Sequence, residues 1–423
     1  MQLINFISML LGEPAVVLAV VAALGLISLR KSANEVITGM IKTTLGFLIL
    51  SGGAGLIVNA LIPFSQMFQE AFHLTGIVAE DNSLVAAVST FLGKETALIM
   101  VFAFIINLIL ARITPFKYVF LTGHMMWSFA GTMAIVLDQM GFKGWTVVLI
   151  GSIVEGICMV VFPAISQKTV RLVTGSDDVA FGFWGSSWIT LSGWVGKLFG
   201  NKEQTTEDMK VPESLGFFRD MAIFMSIVMV IIYTITAFIA GPEIVGKLSG
   251  GKNYLIFSML QALSFVAGVL VLLQGVRMFL GEIIPAFQGI SEKIVPGAKP
   301  ALDVPVFYSY APIAVIVGFI AALIGSLLAT FITRVVAPVV VLPSVIGMFF
   351  MGACAGVFGN TLGGRRGAIV AGFFLGFTWP LMVAFGYPLA DVTKYGVEGL
   401  WFASPDAIIV LTLMRLIGKA FGL

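Results

Sequence analysis

The chain has 423 residues, 59% hydrophobic and only 11% charged, whereas a soluble domain is typically about 45–50% apolar and about 25% charged. That gap excludes a soluble enzyme or a disordered scaffold, and 24 Lys+Arg against 22 Asp+Glu leave a net charge of +2, too little to point to nucleic acid. The chain needs lipid as its solvent, and its 47 glycines and 36 phenylalanines suit close helix packing in a bilayer.

In chain order, the N-terminal MQLINFISMLLGEP lacks the basic start and small-residue cleavage site of a signal peptide. Apolar runs follow near 15–29, 36–62, 96–111, 118–137, 145–165, 221–241, 255–280, 310–333, 335–356, 367–385 and 405–421. A helix needs about 20 apolar residues to cross the hydrocarbon, so these predict eleven transmembrane helices. Basic residues of short loops set the orientation. Arg30, Lys31, Arg112, Lys117, Lys168, Arg171, Lys197, Lys202, Lys210, Arg219, Arg365, Arg366 and Lys419 fall on one side if the N-terminus is outside and the C-terminus cytoplasmic. Lys143, Lys247, Lys252, Arg334 and Lys394 fall on the other. The polar stretch GNKEQTTEDMKVPE, Gly200 to Glu213, reads as a cytoplasmic linker between two halves. Cys158 and Cys354 lie in apolar stretches with no metal or disulfide spacing and read as core residues.

The halves carry an internal repeat. GGAGLIVNALIPFSQMFQEAF from Gly52 matches QGVRMFLGEIIPAFQGISEKI from Gln274. Gly53/Gly275, Pro63/Pro285, Gln66/Gln288, Glu70/Glu292 and Asp81/Asp303 are each 222 residues apart; Pro115/Pro338 and Met125/Met348 are 223 apart. Five spans separate equivalent positions, and an odd number inverts the second copy, a device of transporters that bind solute between the copies. Two further segments, Ser176 to Trp194 and Gly386 to Asp406, read as re-entrant hairpins with a shared Gly-x-Trp…Ser spelling: Gly182, Trp184, Ser187 and Gly399, Trp401, Ser404. Irregular backbone at membrane depth needs a cavity or protein around it; the alternative is a pair of surface loops with interfacial tryptophans.

Ionisable groups within such a chain are functional candidates by default. Asp303 lies in PGAKPALDVPVFYSYAP, too rich in Pro and Gly for plain helix, and is a candidate hydrogen-bond acceptor for solute hydroxyls and a possible general base. The alternative is a helix cap. Its mate Asp81, followed by Asn82 and Ser83, fits a cap better still. His124 in LTGHMMWSF is a candidate ligand contact, while Asp138, Glu155 and Glu282 read as structural. No nucleotide loop, voltage-sensor helix or selectivity-filter sequence is present.

The stretches LRKSANEVITGMIKTTLGFLILSGGAG, LTGHMM, GNKEQTTEDMKVP, QGVRMFLGEIIPAFQGISEKIVPGA and LDVPVFYSYAP resemble the ascorbate-type IIC subunit of the bacterial phosphoenolpyruvate-dependent sugar phosphotransferase system. The resemblance implies an all-α polytopic membrane protein with about eleven transmembrane helices in two inverted repeats and two re-entrant hairpins. It implies a V-shaped dimerisation domain from 1–80 and 214–300, and a core domain from 81–213 and 301–423. It further implies a homodimer in the bacterial inner membrane, elevator-type movement of the core, IIA and phospho-IIB proteins acting in trans, and no cofactor. Carried over by motif, Asp303, His124 and the Asn82–Ser83 pair after Asp81 are substrate contacts. The first hairpin tip, a His-Gln-Gln run in that family, here reads Phe183-Trp184-Gly185-Ser186, which makes Trp184, Ser186 and Ser187 the candidates there. Ser128 stands where the family has glutamine. These departures imply a sugar, polyol or sugar acid other than ascorbate. A proton- or ion-coupled transporter using Asp303 and Asp81, and a degenerate sensor, are the alternatives.

Overall fold

The computed structural model describes residues 14–208 and 220–420. The N-terminal segment read for a signal peptide, and Lys210, Glu213 and Arg219 of the linker region, lie outside the described residues. The helices are α1 Pro14–Ser28, α2 Ala33–Ala71, α3 Asp81–Ile113, α4 Gly123–Gln139, α5 Trp145–Thr174, α6 Ser186–Phe199, α7 Met221–Ala240, α8 Pro242–Ser249, α9 Tyr254–Lys293, α10 Pro312–Val336, α11 Ala353–Gly386 and α12 Pro405–Ala420. Six short strands lie between them: β1 Ile77–Ala79, β2 Tyr118–Phe120, β3 Ala180–Phe181, β4 Lys299–Leu302, β5 Val341–Leu342 and β6 Leu400–Trp401. Seven helical stretches among the described residues are long and apolar enough to cross a membrane. The chain is therefore an all-α polytopic membrane protein.

Two of the helices outrun the bilayer. α2 has 39 residues and α9 has 40, about 60 Å at 1.5 Å per residue against about 30 Å of hydrocarbon. The excess must tilt or emerge. α2 begins at a capping box in which Ser32 and Glu35 satisfy each other's backbone amides. α2 and α9 cross at the repeat glycines. A Cβ on Gly53 would lie 2.3 Å from the Leu272 backbone nitrogen, and one on Gly275 would lie 2.2 Å from that of Leu50. Leu50 and Leu272 are themselves 222 apart, so each helix presents the same glycine to the same position of the other.

The strands show the same exchange. β1 lies between β5 and β6, and β4 lies between β2 and β3, all parallel. The first strand of each half thus sits between the later strands of the other half. Each bridges non-helical backbone and satisfies amides that apolar surroundings would leave unpaired.

Three expected spans differ in detail. The run 118–137 opens as strand β2, and helix α4 starts only at Gly123. The run 335–356 is not one helix. It contains β5, and the helical path starts at Val345 and passes through a π-turn at Met348–Gly352 into α11. α11 then reverses at Gly364, whose φ is +62°. Gly356 and Gly372, eight residues either side of it, both approach Gly318 of α10. Arg365 therefore sits at the reversal, where its amide donates to Gln204 O at 2.7 Å. The described part of the expected linker is accordingly docked rather than free. The Glu207 carboxylate accepts from the amides of Ile313 and Ala314 at the start of α10.

The third difference concerns 405–421. α12 has 16 residues, about 24 Å, and carries the buried Asp406 in its first turn. It ends beside Gln139, Asp391 and Lys394, because Lys419 lines the same surface recess as these residues. Lys394 in turn pairs with Asp138, which also pairs with Lys143. Lys419 thus shares the face of Lys143 and Lys394, not the opposite face assigned from the sequence. The segment is the return arm of a hairpin rather than a full crossing.

Candidate functional site

Both strand triplets end at one cavity of about 510 Å³, within the size range of small-molecule sites. β1 delivers Glu80, Asp81 and Asn82 to it, the β2–α4 junction delivers Thr122 and His124, and β4 delivers Asp303. α2 contributes Ser51, Ser65 and Gln69; the turn after β5 contributes Ser344; the turn after β6 contributes Ala403 and Ser404. Met125, Phe183, Phe279, Phe350, Met351 and Trp379 add apolar surface to the wall.

The two repeat-related carboxylates do different work. Asp303 caps the 3₁₀ helix Val304–Tyr310, accepting from its own Val304 amide at 2.7 Å. Its other oxygen faces His124 Nε2 at 3.6 Å, with both side chains partly exposed to the cavity. The cap and the site therefore coexist in one residue, since a carboxylate has two oxygens to share. Asp81 does not cap α3, whose N-cap is Glu80. Its carboxylate accepts the Ala403 amide at 2.7 Å, the Ser404 amide at 2.9 Å and the Ser404 hydroxyl. Asp81 thus pins the tip of the second hairpin with charge-assisted bonds and keeps little acceptor capacity for a solute.

Of the remaining sequence candidates, Asn82 lines the cavity and Ser83 does not. Ser128 is buried and its hydroxyl donates to Asn82 Oδ1, so it orients the asparagine from behind. Trp184 is a correction. It is fully buried, stacks on Phe120 with centroids 4.6 Å apart, and donates its Nε1 to Met125 O at 2.6 Å. It holds the hairpin against α4, and Phe183 beside it reaches the cavity instead. Ser186 and Ser187 are also absent from the wall. Both hydroxyls and the Ser187 amide donate to Asp406, so a carboxylate at the start of α12 caps the start of α6. The two hairpins are joined tip to tip through it.

Trp184 and Trp401 are both fully buried, which overturns the reading of two surface loops with interfacial tryptophans. The shared Gly-x-Trp…Ser spelling is not the structural register, however. Those positions are 217 apart, while β3 and β6 begin at Ala180 and Leu400, 220 apart. Ser404 and Asp406 were missed as site-forming residues, although both stand in the flagged segment before an apolar run. Of the acidic residues set aside as structural, Glu282 pairs with Lys42 at 3.3 Å and Asp138 with Lys394 at 3.3 Å. Glu155 is buried with neither carboxyl oxygen hydrogen-bonded. Cys158 and Cys354 are buried and unpaired, as expected of core residues.

On the face of Arg171 and Lys299, Asp177 ties the end of α5 to β4. Its carboxylate meets Lys299 Nζ at 2.5 Å, Arg171 Nε at 2.6 Å and Gln167 Nε2 at 2.8 Å. Partial burial pushes this carboxyl up, but those three donors outweigh it and hold it below the ordinary carboxylate range.

Comparison with known proteins agrees with this architecture. The chain is 28% identical over 431 aligned positions to a Mycoplasma pneumoniae protein described as "Ascorbate-specific PTS system EIIC component", an alignment that takes in 89% of this chain and 65% of that protein. The chain thus spans just under two thirds of that relative's length. Residues 9–406 match the model of the EIIC-GAT family, described as the PTS system sugar-specific permease component. With nearly its whole length matched and its transmembrane helices converging on a solute-sized cavity, the chain belongs to the EIIC-GAT family of sugar-specific phosphotransferase-system permease components.

Proposed function

We propose that this protein carries a small polyhydroxylated solute across the bacterial inner membrane and presents it for phosphorylation by a phospho-IIB protein charged by IIA. The observation that carries this reading is the cavity at the junction of both strand triplets, with Asp303, His124 and Asn82 in its polar wall. Such a site binds hydroxyls through charge-assisted hydrogen bonds and distinguishes solutes by which hydroxyls it can pair. Asp303 is the proposed acceptor for the hydroxyl to be phosphorylated, while the phosphoryl group arrives on the partner.

The packing supports a two-domain mechanism. α1, α2, α7 and α9 pack mainly on one another, and α10, α11 and α6 form a second group with α3, α4 and α5. The first group is the proposed V-shaped dimerisation domain. The second, with both hairpins joined through Asp406, is the proposed moving core of a homodimer with inverted repeats. Because α2 belongs to the first group and supplies Ser51, Ser65 and Gln69 to the cavity, sliding the core along α2 would expose the solute to alternate sides.

The test is uptake in vesicles. Phosphorylated sugar should accumulate inside only when phosphoenolpyruvate and the cognate IIA and IIB proteins are supplied. Concentration of unmodified solute on an imposed ion gradient, without those proteins, would falsify the proposal in favour of a coupled transporter.

A further inference from the structure

A second recess, of about 360 Å³, opens beside the end of α12 and shares no residue with the solute cavity. Lys394, Arg415 and Lys419 line it against a single carboxylate, Asp391. That carboxylate is turned back on its own loop, where it accepts the amide and the hydroxyl of Thr393. Lys394 leans on Asp138, which Lys143 also holds. Arg415 and Lys419 remain, and among the described residues neither forms an ion pair. Arg415 donates an Nη2 hydrogen to Gln139 Oε1 at 2.9 Å, and its Nε is buried without an acceptor. This partly buried guanidinium thus lacks both a counter-charge and a hydrogen bond, which is costly. Arg415 and Lys419 are four residues apart on α12, so they share a helix face, where like charges repel. An anion between them turns that repulsion into attraction. The adjoining strip of the helix is apolar. Leu416 stands three residues before Lys419, and Leu413, Leu416 and Ile417 are each more than half exposed, in a helix that runs outward through the hydrocarbon.

We propose that this recess binds the phosphate headgroup of an anionic phospholipid, with Arg415 and Lys419 as its charged donors and an acyl chain along Leu413 and Leu416. A cationic recess beside a lipid-facing apolar strip matches the two ends of such a molecule, and the planar guanidinium fork suits phosphate. A zwitterionic headgroup brings its own ammonium to a wall with surplus positive charge and is disfavoured. A free phosphate shares the headgroup chemistry but leaves the apolar strip uncovered. The lipid braces the outer end of α12, whose inner end joins the two hairpins through Asp406.

The test is lipid binding to the purified full-length protein in detergent, read as adducts by native mass spectrometry and as a shift in melting temperature. The probes are phosphatidylglycerol, phosphatidylcholine and inorganic phosphate. Phosphatidylglycerol should bind about fivefold or more tighter than phosphatidylcholine, raise the melting temperature, and bind less as ionic strength rises. Lys419→Gln, at an exposed position, should weaken phosphatidylglycerol about fivefold, the worth of one basic residue at an anionic surface. Arg415→Gln should weaken it at least as much. Lys252→Gln, an exposed lysine outside the recess, should leave it unchanged. Equal binding of the two lipids overturns the proposal, as does binding that is indifferent to salt or to Lys419→Gln. An equal loss in Lys252→Gln makes the attraction diffuse and overturns it too. Inorganic phosphate that displaces the lipid at matching concentration assigns the recess to a free anion instead. Should Arg415→Gln fail to fold, Lys419→Gln and the salt dependence of the parent protein decide the question.

Discussion

Asp81 and Asp303, 222 residues apart in the matched segments, differ in their partners. Asp303 keeps one oxygen for the cavity. Replacing it with Asn removes a charged acceptor, worth about 1.5–3 kcal/mol, so binding of the proposed solute should weaken roughly ten- to a hundredfold while membrane insertion is unchanged. Unaltered affinity would remove Asp303 from the site. Asp81→Asn should behave differently. It loosens three donors on the tip of the second hairpin, at a cost on the order of 2 kcal/mol, and should lower the melting temperature in detergent. Retained thermal stability with lost binding would instead make Asp81 a ligand contact. The pair was legible in the sequence as a repeat-related match. The difference was not, because it depends on Ser404, more than 300 residues further along the chain.

At the scale of elements, the glycine crossing of α2 and α9 sets how closely the two long helices pack. Gly275→Leu must force the Leu50 backbone aside and should cost about 1–3 kcal/mol or more, read as a lower melting temperature. Gly281→Ala on the same helix meets open space and should cost nothing, since Ala is the better helix former. Asp177 gives the β4 element a pH dependence. Its carboxyl is held below the ordinary range, so the folded state binds that proton less readily than the unfolded chain. The stabilisation is present above the unfolded value of about 3.9 and is lost as pH falls further, through the folded value. Asp177→Asn should therefore lower stability at neutral pH and flatten the acid limb of a melting-temperature profile. An acid limb identical to that of the parent would show that Asp177 does not set it. The helices themselves followed from apolar run length, but their ends did not. The run at 405–421 looks like a span because hydropathy cannot distinguish a crossing from an arm that turns back at a buried tip.

For the whole molecule, the return of α12 makes a topological prediction. Cysteines placed at Lys419 and Lys394 should be labelled from the same side of the membrane, and one at Lys197 from the other. Labelling of Lys419→Cys together with Lys197→Cys would refute the return arm. The joining of hairpins through Asp406 belongs to this scale as well. Ser186 and Ser187 stand at a hairpin tip, where the sequence makes them candidate ligands, and tertiary contact makes them donors to a carboxylate of the other half instead.

The sequence by itself determined the membrane solvent and the helical class, and it singled out the 222-residue match between the halves and, separately, Asp303 and His124 as candidates. Those depend on composition, on run length and on which residue types stand in apolar surroundings, all of which are local. Tertiary structure alone decided which serines meet the cavity, that Trp184 is buried against Phe120 away from the cavity wall, and that the strands of one half enclose the first strand of the other. Those outcomes are set by pairings between residues hundreds of positions apart. In a chain where most residues are apolar, hydropathy carries almost no information about such pairings, and only the need to satisfy buried polar groups fixes them.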